Sequence, residues 1–253
     1  MVRLRPSRLR DYQVCSMQYR LKYVEGRTSG LQASSPALAV GTSLHAALAE
    51  WHRPGRAGPI AAEVLLARHW QSAGYSSVAE SDSHFALCLS VLNRYTQATI
   101  HHQGRVLGTE VYLARIVASG VQRMELACRA DRITLLPGET LEVLDYKTNA
   151  DGLVPLYDEL AADLPTFVYY LLARVMYPQH SRVVVAQLNL FTLNKTSVDY
   201  SQTELGRNKA ELMAAAAAIE NETFEPRLGA HCAWCPVRAH CPAFGPEVEL
   251  GDL

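Results

Sequence analysis

The stretch from Gln122 to Thr148 restricts the fold more than any other. Two apolar runs of strand composition, 122–133 and 140–146, flank the turn-forming pair Pro137-Gly138. A chain patterned this way forms an antiparallel hairpin. A third strand-like run, 106–117, precedes it after Gly104. Asp131 lies in the first strand of the hairpin, and Asp145 in its second, with Lys147 two residues on. Side chains alternate along a strand, so Asp145 and Lys147 share a face. An isolated D-x-K is most often a surface ion pair. Two carboxylates and a lysine on otherwise apolar strands are a costlier grouping, and a hard divalent cation such as Mg2+ or Mn2+ would offset the repulsion between the acids. Such an ion lowers the pKa of a water and polarises a phosphodiester. A nearby lysine orients that water or steadies charge growing on the phosphate.

Helical patterns surround the strands. Ser7 is a candidate cap for a first helix, on which Leu9, Tyr12, Cys15, Tyr19 and Tyr23 recur at near-helical spacing. Residues 28–36 read as a loop. A second helix starts at Gly41-Thr42-Ser43 and ends at Pro54-Gly55, with Leu44, Ala47, Leu48 and Trp51 on its apolar face and His45 beside them. Further helices are expected over 60–72, 82–100, about 157–176 and 202–221, with a strand over 182–193. The tail from Phe224 is rich in Pro and Cys. The sum is an α/β fold, a central mixed β-sheet flanked by helices, expected as one domain over 1–253.

Composition excludes several classes. At 49% hydrophobic and 19% charged, the chain is not a disordered tail. No apolar run approaches the roughly 20 residues that span a bilayer, and Met1 to Pro6 lack the apolar core of a signal peptide, so a soluble, cytoplasmic protein without membrane partners is expected. The formal net charge of -1 conceals a basic N-terminus: between Arg3 and Arg27, seven Arg and Lys face two acids. Arg8, Arg10 and Arg20 suit a phosphate backbone. The neighbouring tyrosines either stack on unpaired bases or face the core.

Three of the six cysteines, Cys232, Cys235 and Cys241, form C-x2-C-x5-C before Pro242. In a cytosolic protein this spacing points to metal rather than disulfides. His231 and His240 flank them, so a local zinc site of Cys232, Cys235, His240 and Cys241 is one reading. Cys88 and Cys128 fall in apolar patterns and read as core thiols.

In order, His45 on a helix, Asp131 on a strand and Asp145-Tyr146-Lys147-Thr148 on the next resemble the RecB-like branch of the PD-(D/E)xK nuclease superfamily. The four cysteines Cys15, Cys232, Cys235 and Cys241, with Ser7 to Tyr19 and Phe224-Glu225-Pro226, are similar to the pattern of its iron–sulfur members, including the CRISPR-associated "Cas four" family. The resemblance implies a restriction-endonuclease-like core with His45, Asp131 and Asp145 as Mg2+ or Mn2+ ligands. It makes Lys147, Asp131 and Asp145 the catalytic set, with Glu110 as a further site candidate. It implies a [4Fe-4S] cluster on the four cysteines, held by residues 7–24 and 224–245, joining the N-terminal helix to the C-terminal tail. The chain departs from the family in having Cys128 where Gly is usual, and Asp163 and Phe167 where Gln and Tyr are usual; Tyr169 and Tyr170 are the substitutes as DNA contacts. The implied function is a metal-dependent DNA exonuclease acting on single strands or ends, in CRISPR adaptation (antiviral defence) or in DNA repair and recombination, with a CRISPR integrase or a helicase as partner. The alternative is a non-catalytic iron–sulfur DNA-binding subunit of a larger complex.

Overall fold

A computed structural model describes residues 1–27, 35–56, 60–98, 103–120 and 122–245. Among them, six strands make one sheet, and β3 (Gln122–Leu136), which pairs with three others, is its spine. β2 (Arg105–Ser119) runs antiparallel along one edge of β3. The other edge has two partners. β1 (Val2–Leu4) lies parallel to residues 124–126, and β4 (Thr140–Lys147) lies antiparallel to residues 132–136. Residues 127–131 of β3 have no strand on that edge. β5 (Arg182–Asn189) continues the sheet parallel to β4, and β6 (Lys195–Val198) closes it antiparallel to β5. The sheet is therefore mixed, as the sequence predicts.

Helices cover both faces. Leu126, Ile133, Val143 and Val185 pack with α1 (Pro6–Val14), α7 (Leu164–Met176) and α8 (Gln202–Glu220). Leu144, Tyr146, Ala186 and Leu188 pack with α3 (Pro36–Trp51), α4 (Ala62–His69) and α5 (Val78–Gln97). β4 and β5 are buried on both sides, which is why apolar residues fall on both faces of each rather than alternating.

Several boundaries move, each for a local reason. The N-terminal segment opens with a strand, and α1 starts at Pro6, with Arg5 rather than Ser7 at the cap. The helix breaks at Cys15, which is extended (φ -159°, ψ 117°), before α2 (Ser16–Tyr19) and a π-turn (Arg20–Val24). Tyr19 is 4% exposed; it meets Tyr12 edge-on and stacks on Phe224. Tyr19 is therefore core, and Tyr12 and Tyr23 are half-buried against the same cluster. α3 begins five residues before Gly41, because Ser35 accepts the Leu38 N–H and Pro36 suits the first turn. Ser77 caps α5 at Val78 in the same way; the predicted end at residue 100, like most of the 28–36 loop, lies outside the described residues. The expected helix over 157–176 is two, α6 (Tyr157–Ala162) and α7. Asp163 separates them and caps α7 by accepting the Thr166 N–H at 2.9 Å. The expected strand over 182–193 ends at Asn189, whose Oδ1 accepts the N–H groups of Phe191 and Thr192 and turns the chain into β6.

Candidate active site

β3 and β4 part company after the pair Arg132↔Leu144. Beyond that fork a side chain replaces the ladder: the Tyr146 N–H donates to Asp131 Oδ2 at 2.6 Å. The other Asp131 oxygen faces His45 Nδ1 at 3.2 Å. His45 comes from α3, and Gly41 lies one turn earlier on the same side. A Cβ at Gly41 would stand 3.1 Å from Thr148 Oγ1, so only a small residue lets α3 lie this close to the end of β4.

Glu110 on β2 stands across from Asp131, between the pairs Thr109↔Arg132 and Val111↔Ala130. Its φ is +51°, a left-handed conformation that non-glycine residues seldom adopt. A register shift between Val106 and Gly108 immediately precedes it, where a Cβ on Gly108 would meet Val111 Cγ2 at 2.6 Å. Bulge and left-handed residue re-aim the side chain, as bulges beside functional sites do. One ligand atom from each of His45, Glu110 and Asp131 lies within 4.8 Å of the others. Asp145 and Lys147 continue the row of Leu141 and Val143 toward α7. Lys147 Nζ is 2.5 Å from Asp145 Oδ2. Gln187, the β5 partner of Asp145, borders a hollow with Lys147, Asn149, Asp163 and Arg10.

The electrostatics are those of crowded negative charge. Burial raises the Asp145 pKa; Lys147 opposes this, and Asp131 adds to it. Burial and then the Asp131 charge raise Glu110. Burial alone would lower His45, but the Asp131 hydrogen bond and the charges of Asp131, Asp145 and Glu110 outweigh it, and its pKa rises. Each shift is toward the protonated form, the direction that a nearby cation would oppose. An imidazole with adjacent carboxylates is a donor set that Mn2+ and Mg2+ accept.

The other sequence candidates separate. Tyr169 donates its hydroxyl to the Arg129 carbonyl at 3.2 Å, within the strandless edge of β3. Burial first, then the Asp145 and Asp131 charges, raise its phenol well above the usual value. Tyr170 stacks on Phe167 and tilts against Tyr200, so it packs rather than projects. Arg8 lies over the Tyr23 ring, and Arg20 pairs with Glu25. Arg10, 3.8 Å from Asp163, borders the Lys147 hollow. Phe167 is core and Asp163 is a helix cap. The Cys128 thiol is buried and pushed up to about 12, and that of Cys88 to about 11. Sequence reasoning ranked Asp145 above Glu110 as a ligand; the geometry puts Glu110 in the three-atom group. Gly108 inside a strand run was the available signal for it.

Cys15, Cys232, Cys235 and Cys241 line one pocket of about 310 Å³, although Cys15 is more than 200 residues from the rest. The Arg227 N–H points at Cys15 Sγ at 3.4 Å. Ser16 Oγ donates to the Glu225 carbonyl (2.7 Å) and accepts the Glu225 N–H (3.0 Å). Burial raises the Cys235 pKa; the Val237 N–H opposes this, and Cys15, Cys241 and Cys232 add to it. His231 lines the pocket; His240 does not.

This arrangement of a forked sheet, an acid on each strand and a lysine beside the second has a known counterpart. Residues 3–242 match the PD-(D/E)XK nuclease superfamily, and the chain belongs to it. A search of curated proteins gave no match. Among solved structures, a protein from Eubacterium rectale described as a "Putative exonuclease" is 14% identical, with a TM-score of 0.55 over 98% of this chain and 91% of that one. The protein SSO0001 is 17% identical, with a TM-score of 0.41 over 66% of this chain and 80% of that one. Among the described residues, no helix is long and apolar enough to cross a membrane.

Proposed function

We propose that the protein is a divalent-metal-dependent deoxyribonuclease that hydrolyses phosphodiester bonds in single strands or at DNA ends, as an exonuclease. The convergence of His45, Glu110 and Asp131 ligand atoms within 4.8 Å carries this reading. Asp145 and Lys147 stand alongside. Superfamily membership supports the nuclease chemistry, and the description of the Eubacterium rectale protein supports the exonuclease assignment. A bound Mg2+ or Mn2+ would supply Lewis acidity to the phosphate and a more acidic water. His45, Glu110, Asp131 and Asp145 would hold it. Tyr146 fixes the Asp131 carboxylate through its backbone N–H. Asp145 fixes the Lys147 ammonium, which donates to a phosphate oxygen as negative charge grows there. By resemblance, the setting is CRISPR adaptation or DNA repair. A labelled single strand incubated with Mg2+ or Mn2+ tests the proposal. Wild-type protein shortens it, and Asp145→Ala and Lys147→Ala abolish shortening; full activity in either variant refutes the site.

The same reading assigns a [4Fe-4S] cluster to Cys15, Cys232, Cys235 and Cys241, within one domain closed by residues 7–24 and 224–245. The support is that the fold brings Cys15 to the same pocket as the three cysteines of the tail. Iron and sulfide analysis of anaerobically purified protein tests this; one zinc and no iron refutes it.

A further inference from the structure

The strandless edge of β3 opens into a hollow of about 710 Å³, lined by Arg5, Ser7, Tyr112, Ala127, Arg129 and Tyr169, with Pro6 and Cys128. Neither the metal-ligand group nor the thiol pocket uses it. Arg129 also lines the hollow that holds His45, Glu110 and Thr148, so its side chain is common to both. Asp131 ends the strandless stretch, and Asp145 is near enough to raise the Cys128 pKa.

The chemistry of the walls is specific. Tyr112 and Arg129 are direct cross-strand partners, so both project from the same face of the β2–β3 hairpin. The next pair on that face is Ala114↔Ala127, two small residues that leave space beside the Tyr112 ring. Tyr112 is 56% exposed, a large ring left in solvent at the mouth of a basic hollow, whereas its neighbour Leu113 is buried. Arg5 and the Arg129 guanidinium are exposed, and among the described residues the Arg129 guanidinium makes a long contact to Glu110 at 3.5 Å. Ser7 and Tyr169 add hydroxyls. Exposed aromatic faces with flanking arginines are how single-strand sites hold bases and phosphates. A base inside a duplex has both faces covered by its neighbours and cannot use such a ring.

We infer that this hollow is a nucleotide subsite for single-stranded DNA, in which Tyr112 stacks on an unpaired base while Arg5 and Arg129 hold the phosphates on either side. The inference rests on the proposed nuclease reading and gives it a strand path: from the Tyr112 shelf, past Arg129, to the ligand group. Tyr112 is a binding residue that does not enter the chemistry.

The test uses the full chain and a fluorescein-labelled oligothymidylate, read by anisotropy in chelator. Tyr112→Ala weakens binding roughly five- to hundredfold, and Tyr112→Phe restores it. Arg5→Ala weakens binding and lowers the slope of log affinity against log salt by about one. The Mn2+-induced rise in melting temperature is kept in Tyr112→Ala, which shows that the fold and ligand group are intact. Oligothymidylate affinity unchanged in Tyr112→Ala, with wild-type protein binding and cleaving the strand, overturns the subsite and leaves the nuclease reading standing. Tyr112-dependent binding without cleavage under Mg2+ or Mn2+ overturns the nuclease reading and supports the subsite.

Discussion

Ser16 joins the two ends of the fold with one hydroxyl. Its oxygen donates to the Glu225 carbonyl at 2.7 Å and accepts the Glu225 N–H at 3.0 Å, in a side chain that is 5% exposed. Ser16→Ala removes both bonds at once. A typical hydrogen bond contributes about 0.5–1.5 kcal/mol net, so the pair contributes about 1–3 kcal/mol. For a chain of this size each kcal/mol lowers the melting temperature by about 2–4 °C, giving an expected fall of roughly 2–12 °C. The loss is local as well as global. The tail carrying Cys232, Cys235 and Cys241 loses its anchor beside Cys15, and trypsin reaches Arg227 and Arg238 sooner. Thermal unfolding by circular dichroism and timed proteolysis measure the two effects. A shift below about 1 °C together with unchanged tail cleavage would refute the reasoning, because it would mean water replaces the hydroxyl without cost.

Other expectations follow from the same contacts. Burial lowers the His45 pKa, but the Asp131 bond and the neighbouring carboxylates raise it overall, so a metal competes with a proton there. Mn2+ affinity therefore falls from about pH 8 to about pH 6, by up to tenfold per unit for each proton displaced, as a thermal-shift titration reads. Glu110→Gly removes a ligand atom but also a left-handed side chain worth about 1–2 kcal/mol of strain, so metal-free stability holds while the Mn2+ response drops. Asp163→Ala costs about 1 kcal/mol by uncapping α7, measured by urea denaturation. In chelator-treated protein a thiol reagent modifies Cys232, Cys235 and Cys241 first. Cys88 and Cys128, with thiols pushed up to about 11 and about 12, react only on unfolding.

What the sequence disclosed follows the range of the interactions involved. The β3–β4 hairpin was legible because Pro137-Gly138 and its apolar flanks are contiguous; α8 was legible because alanine favours helix over the whole of 214–218. The shared face of Asp145 and Lys147 followed from strand alternation. The break at Asp163 was hidden by apolar periodicity on both sides, although Pro165 marked it. β1 could not be read at all: three residues, one of them arginine, become a strand only because residues 124–126 offer an edge. Glu110 was legible only as a further site candidate because its placement depends on a backbone angle rather than on spacing. The fork between β3 and β4, which gives Asp131 the Tyr146 N–H, is a property of the sheet and of no single segment.

The placement of β1 also sets an order of assembly. Arg3 meets Glu125 across 122 residues, and Ser16 meets Glu225 across 209. The β2–β3 and β3–β4 pairings need only short loops, so they form early; closures over such distances form late. The basic segment up to Arg27 precedes its partners in the chain and is secured after the hairpins. In pulsed hydrogen exchange, Leu4 and Tyr19 gain protection after Val143 and Val185, and the thiol pocket exists only once that final closure is made.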